Sequence, residues 1–429
     1  FPTRRSSDLQ CAGGACAAVP GDTLKQLGEA VARLARTPMR GKTVFSDGNS
    51  NDVTIRDHDV QAAFFSGDLR SGLRSLLPGA VAAYLDGDGA ALRRLVVLNL
   101  TSKDGSAGAK RWAQPLVATS RRGRSTDLQS ARVAAATRGL SSTLNIVTSC
   151  SDARLPWGSK DTALRREGAL TRVTLRLTDK QVFPFTRSST LYNSIAAQCL
   201  GWPETSLRGA TTTRRLPNVP TLLINGLEDM RTPVEQAQSV ARELPNNQLV
   251  AVPHYGHSAL SSLGCAQRAV GTWLDGGDAR NACAENRELI GVQPAPPRSL
   301  SAVSPVNGIA IDGVARAVGA VIDTERDALV TVLTADPSSD KITLGGLRSG
   351  RYRYEFGSGS VSATFERVEF VPGLVVSGTV QRDSLASTPF GGSLEISGAA
   401  GATGKIDFSR TTVSGTVDGQ QFSVARPAQ

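Results

Sequence analysis

The sequence lacks any uncharged apolar run of about 18 residues, which excludes an ordinary membrane-spanning helix. Histidine is scarce, with three in 429 residues, and no C-x-x-C pair occurs, so the common zinc-binding patterns are missing. Aromatic residues make up only 5% of the chain, and its 48 Lys and Arg residues are scattered. We therefore expect no membrane span, no metal or other cofactor, and no nucleic-acid partner, despite the net charge of +10.

The rest of the composition is that of a folded protein with several domains. Hydrophobic residues make up 40% and charged residues 20% of the chain, enough to build cores in about two to four domains. The chain begins with Phe1 rather than Met, and residues 1–9 have no apolar periodicity. These residues resemble a translated sequencing adapter, so we expect them to lie outside the fold.

Cysteine usage points to an oxidising compartment. The chain has six cysteines, an even number that favours disulfides and a secreted or other extracytoplasmic protein. Six cysteines can pair in about 15 ways, so the spacing leaves the connectivity open, and buried free thiols are the alternative. The pairs that local grouping favours are Cys11 with Cys16, Cys150 with Cys199, and Cys265 with Cys283.

The N-terminal part of the chain has the periodicity of helices. Apolar residues recur at spacings of three and four in Leu24, Leu27, Val31 and Leu34. This spacing predicts an amphipathic helix that ends near Pro38. Further helical stretches with Gly and Pro interruptions follow to about residue 100, and we expect this region to contain no sheet.

Residues 219–275 have the pattern of a βαβ unit. Two short apolar runs, 219–226 and 248–252, are typical of strands buried on both faces. Between them, Thr232, Pro233 and Glu235 form a capping-box pattern that predicts a helix with Thr232 at its N-cap. Strand, helix and strand in this order predict that the two strands are parallel.

A second pattern begins after a Pro-rich stretch at residues 286–306, which is typical of a linker. Between Ile309 and Leu333 we expect one helix that runs into a strand. Beyond it, apolar and polar residues alternate with period two, as in residues 351–356 and 361–365. This alternation, with Gly and Ser turns between the runs, predicts an antiparallel β domain that is a sandwich or an open barrel.

An acid and a histidine follow the two strands of the βαβ unit. Asp229 comes just after the first strand and His257 just after the second. Loops at the carboxyl ends of neighbouring parallel strands lie side by side, so we expect these two side chains to meet. A carboxylate that accepts a hydrogen bond from a histidine ring fixes the ring tautomer and stabilises the imidazolium. The alternative is a helix-capping aspartate and a structural histidine.

The segments around these two residues resemble a known family. Residues 226–233 read GLEDMRTP and residues 252–258 read VPHYGHS. Both resemble the acid and histidine segments of α/β-hydrolases, and they are most similar to those of tripeptidyl-aminopeptidase-like serine hydrolases. The resemblance implies that the acid is Asp229 rather than Glu228. It likewise implies that the histidine is His257 rather than His254.

The resemblance also implies a fold and an activity. The fold would be a truncated α/β-hydrolase, with a helical cap and the last βαβ unit, followed by an all-β C-terminal domain. The activity would be acyl transfer from a peptide or small ester to water, with removal of short N-terminal peptides. Asp152 and Glu204 could bind a free amino terminus, although ordinary surface acids are the alternative. The expected divisions are a helical cap at 10–145, the α/β core at 146–285, the linker at 286–306 and the β domain at 307–429.

One element of the family is missing from the sequence. The nucleophile of these enzymes sits in a Gly-x-Ser-x-Gly elbow, and no such pentapeptide occurs; Gly391–Glu395 reads GGSLE and fails at its last position. We therefore expect a C-terminal portion of a hydrolase that is inactive as given, because the serine and the oxyanion hole are absent. The alternatives are an esterase or lipase of the same fold and a non-catalytic protein that binds cell-wall or peptide ligands.

Overall fold

The computed structural model describes residues 18–101, 142–158, 160–202, 216–257, 259–261, 265–286, 291–335, 340–357, 360–382, 390–398 and 402–427. Their contacts divide the chain into two compact units, each discontinuous in sequence. The first unit comprises Phe1–Arg36, Asp57–Arg74 and Leu140–Val292, and the second comprises Thr37–Arg56, Ser75–Gly139 and Gln293–Gln429. None of the helices in the described ranges is long and apolar enough to cross a membrane.

The elements of the N-terminal half are mostly helices. Up to residue 101 they are α1 (Thr23–Arg36), β1 (Met39–Val44), β2 (Ser50–Ile55), α2 (Asp57–Ser66), α3 (Ser71–Leu85) and α4 (Ala90–Thr101). Between residues 142 and 202 they are α5 (Ser142–Asp152), α6 (Ala163–Arg176), α7 (Asp179–Val182), α8 (Arg187–Tyr192) and α9 (Ile195–Gln198).

Helix α1 has the amphipathic character that its sequence predicts. Its buried residues lie on one face and are Leu27, Gly28, Ala30, Val31 and Leu34. The helix ends at Arg36, two residues before Pro38, because proline cannot continue a helix and restricts the residue before it. The periodicity therefore predicts the buried face of this helix, and Pro38 predicts its end.

The expectation of a purely helical region up to residue 100 is wrong at residues 39–55. Strands β1 and β2 pair there as an antiparallel hairpin, from Met39 opposite Ile55 to Val44 opposite Ser50. The turn between them is closed by two hydrogen bonds, from the Phe45 amide to the carbonyl of Asn49 and from the Gly48 amide to the carbonyl of Phe45, and Gly48 takes a φ of 84°. A left-handed φ suits glycine, so the Asp-Gly-Asn turn is the signal that the helical pattern obscured.

The βαβ unit lies in the first unit and consists of β3 (Thr221–Gly226), α10 (Val234–Glu243) and β4 (Asn247–Val252), followed by α11 (Cys265–Leu274). The strands are parallel, as the sequence predicts, with Thr221 opposite Asn247 and Gly226 opposite Val252. Val250 and Val252 pack with Ala266 and Ala269 of α11 in a small core.

Two details of this unit differ from the sequence prediction. Within the described residues β3 pairs with β4 alone, so residues 221–224 are half-buried rather than buried on both faces. Helix α10 has Pro233 rather than Thr232 at its N-cap and has no side-chain cap. The Thr232 hydroxyl instead donates a hydrogen bond to Asp229, 2.7 Å away, because a buried carboxylate competes for it more strongly than a free backbone amide.

Two disulfides connect elements of the first unit. Cys150 at the end of α5 is bonded to Cys199 after α9, with 5.4 Å between the Cα atoms. Cys265 at the start of α11 is bonded to Cys283, with 5.1 Å between the Cα atoms. These are two of the three pairs that local grouping favours, and such bridges are typical of extracytoplasmic proteins. The third pair, Cys11 and Cys16, lies outside the described residues.

The C-terminal part of the second unit is a helix and one antiparallel sheet. The elements are α12 (Asp312–Val332), β5 (Lys341–Gly345), β6 (Ser349–Gly357), β7 (Ser360–Glu369), β8 (Val375–Arg382), β9 (Gly391–Ser397), β10 (Gly404–Phe408), β11 (Thr412–Val417) and β12 (Gln420–Ala425). Each strand pairs with the next in sequence, in the order β5 to β12. The eight strands therefore form a single meander, and the sandwich alternative is wrong.

Helix α12 is buried against this sheet. From Val314 to Val332 each of its residues is buried or half-buried, and this includes five charged residues, Arg316, Asp323, Glu325, Arg326 and Asp327. The hydroxyl of Tyr352 on β6 donates to Asp327, 2.7 Å away, and that of Tyr354 donates to the carbonyl of Ala328. The alternation along β6 thus places both tyrosines on the face that covers the helix.

A buried ion pair connects α12 to α4. The guanidinium of Arg94 donates two hydrogen bonds to the carboxylate of Asp327, at 2.6 and 2.5 Å. The two side chains are only 4% and 1% exposed. Burial disfavours both charges, so the pair depends on this two-bond geometry and on the additional hydrogen bond from Tyr352.

We predict that Arg94→Met destabilises the protein by about 3–5 kcal/mol, because it leaves the Asp327 charge buried without a partner. Urea unfolding followed by circular dichroism measures this loss. The triple variant Arg94→Met/Asp327→Leu/Tyr352→Phe removes every polar member and should lose less than the single variant. A triple variant less stable than Arg94→Met would contradict this account.

Candidate active site

The carboxylate of Asp229 is held by its own loop, directly after β3. One oxygen, Oδ1, accepts hydrogen bonds from the backbone amides of Arg231 and Thr232, each at 2.8 Å. The other, Oδ2, accepts from the Thr232 hydroxyl at 2.7 Å, and the side chain is only 3% exposed. Burial alone would raise the pKa of Asp229, but the hydrogen bonds from Thr232 and His257 outweigh it and lower that pKa.

The ring of His257 contacts this carboxylate. Its Nδ1 lies 2.9 Å from Asp229 Oδ2, and the Thr232 hydroxyl lies 3.3 Å from the same nitrogen. The ring is 31% exposed, and its Nε2 forms no hydrogen bond with any described residue. With the proton on Nδ1, the ring donates to Asp229 and presents the Nε2 lone pair to solvent. This is the arrangement of a general base oriented by an acid.

The backbone brings the two loops together. The ladder between β3 and β4 continues beyond the strands, since Leu227 donates to the carbonyl of Val252 and Glu228 donates to that of Tyr255, both at 3.0 Å. A Cβ at Gly226 would lie 2.2 Å from the carbonyl oxygens of Tyr255 and Gly256. The absence of a side chain at the end of β3 therefore permits the histidine loop to pack directly on the acid loop.

The other acid and the other histidine of these loops belong to a separate cluster. Glu228 lies 3.0 Å from the guanidinium of Arg74, and its second oxygen lies 3.6 Å from Nδ1 of His254. Arg74 also donates to the main-chain oxygen of His254, at 3.0 Å. Among the described residues, the side chains of Glu228 and His254 therefore pair with each other, and Glu228 with Arg74, rather than with Asp229 or His257.

A third side chain, Asp68, reaches the pair from the turn between α2 and α3. Its Oδ1 accepts hydrogen bonds from the backbone amides of Met230 and His257, at 3.2 and 3.1 Å. Its Oδ2 lies 3.2 Å from Nε of Arg231, and the side chain is 0% exposed. Burial and the neighbouring Asp229 charge raise the pKa of Asp68. Sequence reasoning missed Asp68 because it lies far from both loops and in no motif.

Comparison with protein families matches this part of the chain. Residues 184–284 match a family model described as TAP-like protein. The matched residues include β3, α10, β4 and both members of the acid–histidine pair. This segment is thus similar to the TAP-like family of α/β-hydrolases. The matched segment is less than a quarter of the chain, and no curated protein and no solved structure matches the sequence.

The carboxylates around His257 also raise the question of a metal. Ligand atoms of Asp68, Asp229 and His257 all lie within 4.8 Å of one another. However, both oxygens of Asp229 accept hydrogen bonds from N–H and O–H donors, and Oδ1 of Asp68 accepts two backbone amides. These donors occupy the lone pairs of Asp229 and of Asp68 Oδ1, and Oδ2 of Asp68 is paired with the guanidinium of Arg231, so the geometry fits a hydrogen-bonded acid–base pair better than a metal site.

The two residues expected to bind an amino terminus are placed as follows. Asp152 is the last residue of α5, and the structure describes its backbone alone. Glu204 lies in the TAP-like segment but outside the described residues. The role of both in binding stays a prediction.

We predict that Asp229→Asn destabilises the protein by about 1–3 kcal/mol near pH 7, since hydrogen bonds to a charged acceptor are lost. The folded-state pKa of Asp229 is lowered, so its contribution is present above its ordinary value of 3.8 and disappears as the pH falls through the folded-state pKa. Urea unfolding of wild type and variant between pH 7 and pH 3 should show the difference shrinking on acidification. A difference that stays constant or grows would contradict the assignment.

A second prediction concerns Gly256, where an added Cβ would lie 2.1 Å from the carbonyl oxygen of Asp68. We expect Gly256→Ala to destabilise the protein by about 1–3 kcal/mol, because backbone must move to relieve the clash. Gly271 is the matched control, since it is exposed within α11 and its Cβ would meet nothing within 4 Å. Gly271→Ala should stabilise the protein by up to about 1 kcal/mol in the same unfolding assay. Equal effects of the two substitutions would contradict the packing described.

Proposed function

We propose that His257 and Asp229 are the general base and the orienting acid of a serine-hydrolase centre that transfers an acyl group to water. The single observation that carries the proposal is the 2.9 Å contact between His257 Nδ1 and Asp229 Oδ2 in a side chain that is 31% exposed. The TAP-like segment supports the same class of chemistry, because it contains both residues.

In this mechanism His257 moves a proton and Asp229 does not. The Nε2 lone pair takes the proton of an attacking hydroxyl, and the resulting imidazolium later gives it to the leaving group. Asp229 stays ionised throughout and stabilises the imidazolium, a role that suits a carboxylate whose pKa is lowered. The five donors around Asp229 keep the charge in place without solvent.

The substrate is proposed to be the N-terminal part of a peptide, released as a short fragment outside the cytoplasm. The match to the TAP-like family favours a peptide over an ester, and the two disulfides favour an oxidising compartment. Since the sequence has no Gly-x-Ser-x-Gly elbow, the 429-residue polypeptide is proposed not to cleave peptides by itself.

The test uses the 429-residue protein with a tripeptide anilide, a fluorophosphonate serine probe and the activated ester p-nitrophenyl acetate. We expect no cleavage of the anilide and no labelling by the probe. The activated ester should be hydrolysed slowly through the His257 imidazole, and His257→Gln should lower this rate at least about tenfold. Asp229→Asn should also lower it, because the ring loses its orienting partner.

His254→Gln is the matched control, since His254 is also exposed but lies outside the pair. We expect the ester rate of this variant to stay close to that of the wild type. Serine-dependent labelling would refute the proposed inactivity toward peptides. Equal ester rates in wild type and His257→Gln would refute the role of His257 as the base.

A further inference from the structure

Asp68 lies outside the segment that matches the TAP-like family, and no role follows for it from that match. We propose that Asp68 is a positioning residue of the centre, which holds the acid loop and the histidine loop together so that the ring of His257 stays on Asp229. This inference rests on the proposed function, because it assigns Asp68 to the same centre.

The main evidence is that both loops are anchored on a single carboxylate oxygen. Oδ1 of Asp68 accepts the amide of Met230, next to Asp229, and the amide of His257 itself. The main-chain oxygen of Asp68 accepts the His257 amide as well, at 3.0 Å. The backbone of His257 is thus fixed by two acceptors of one residue, which places its ring within reach of Asp229.

The second loop contact runs through Arg231. Its Nε lies 3.2 Å from Oδ2 of Asp68, and its Nη2 donates to the carbonyl of Phe65 at 3.4 Å. Arg231 also donates its own backbone amide to Asp229. The charge of Asp68 is therefore balanced by a residue of the acid loop, and the same residue links the two carboxylates.

The packing of the histidine loop supports the assignment independently. Gly256 lies so close to Asp68 that a Cβ there would meet the Asp68 carbonyl oxygen at 2.1 Å and Oδ1 at 2.7 Å. The loop can approach the carboxylate only because this position has no side chain. The glycine at position 256 is therefore explained by its close packing against Asp68, a residue far away in the chain.

A purely structural role and a positioning role of Asp68 predict different effects of its removal on the Asp229–His257 hydrogen bond. If Asp68 only stabilised the fold, its removal would lower the unfolding free energy but leave the Asp229–His257 hydrogen bond intact in the folded protein. A positioning role requires that the hydrogen bond weaken in the folded protein. The experiment therefore measures the hydrogen bond itself.

The test is NMR spectroscopy of the 429-residue protein and its variants Asp68→Ala and Asp68→Asn. In the wild type, the Nδ1–H proton of His257 should give a downfield resonance that is absent in His257→Gln. Asp68→Ala should lose this resonance, and the Met230 amide should exchange with solvent about tenfold faster or more, since its charged acceptor is removed. The His257 amide keeps the main-chain oxygen of Asp68 as an acceptor, so its exchange should accelerate by a smaller factor. Asp68→Asn keeps an oxygen for the two amides and should retain both the resonance and the slow exchange.

Asp57→Asn is the matched control, because Asp57 is also a buried aspartate near α2 but accepts its hydrogen bond from Thr186. It should leave the resonance unchanged. If Asp68→Ala does not fold, native-state hydrogen exchange of the wild type tests the inference instead. The amides of Met230 and His257 should then exchange through one shared opening event with the same opening free energy. Separate opening events for the two amides would refute the shared anchor. A wild type without the resonance would refute the proposed function, whereas a folded Asp68→Ala protein that keeps it would refute this inference alone.

Discussion

The hydrogen bond between Asp229 and His257 exists because two parallel strands end at the same level. Gly226 and Val252 are opposite each other at the ends of β3 and β4, and the ladder continues for two more hydrogen bonds into the loops. Each loop therefore begins at a fixed point. Because Asp229 and His257 come only a few residues after these points, their side chains stay close together. The placement of active residues at the carboxyl ends of parallel strands is in this case a consequence of strand register.

The surroundings of Asp229 show how a buried charge is tolerated next to a half-exposed ring. Backbone amides, a hydroxyl and an amide side chain satisfy the carboxylate, so it does not need water. One consequence is local: Thr232 is drawn away from the capping position that its sequence context favours. Preference for a helix N-cap is worth about 1 kcal/mol, whereas an unsatisfied buried carboxylate would cost more.

Asp229 and His257 could be predicted as a pair from local sequence, but most of the residues around them could not. The apolar runs and the spacing of Asp229 and His257 predict parallel strands and adjacent loops, since these depend on short-range periodicity. Asp68 escaped prediction because its contacts are made across more than 160 residues of sequence, as those to Met230 show. Nothing in its neighbours marks it as different from a surface acid.

The same distinction applies to the second unit. Alternation predicts the strands of the sheet, but the burial of α12 depends on packing across the unit. The ion pair of Asp327 with Arg94 joins residues 233 positions apart, and local patterns do not encode such a contact. The hairpin at residues 39–55 was hidden for another reason: its strands are polar along most of their length, so period-two alternation is weak.

A double-mutant cycle tests the central claim most directly. The free energies of unfolding of the wild type, Asp229→Asn, His257→Gln and the double variant are measured in urea near pH 7. If the two side chains form the hydrogen bond described, the double variant should be more stable than additivity predicts, by about 1 kcal/mol or more. Additivity within about 0.5 kcal/mol would contradict the claim that Asp229 and His257 act as a pair.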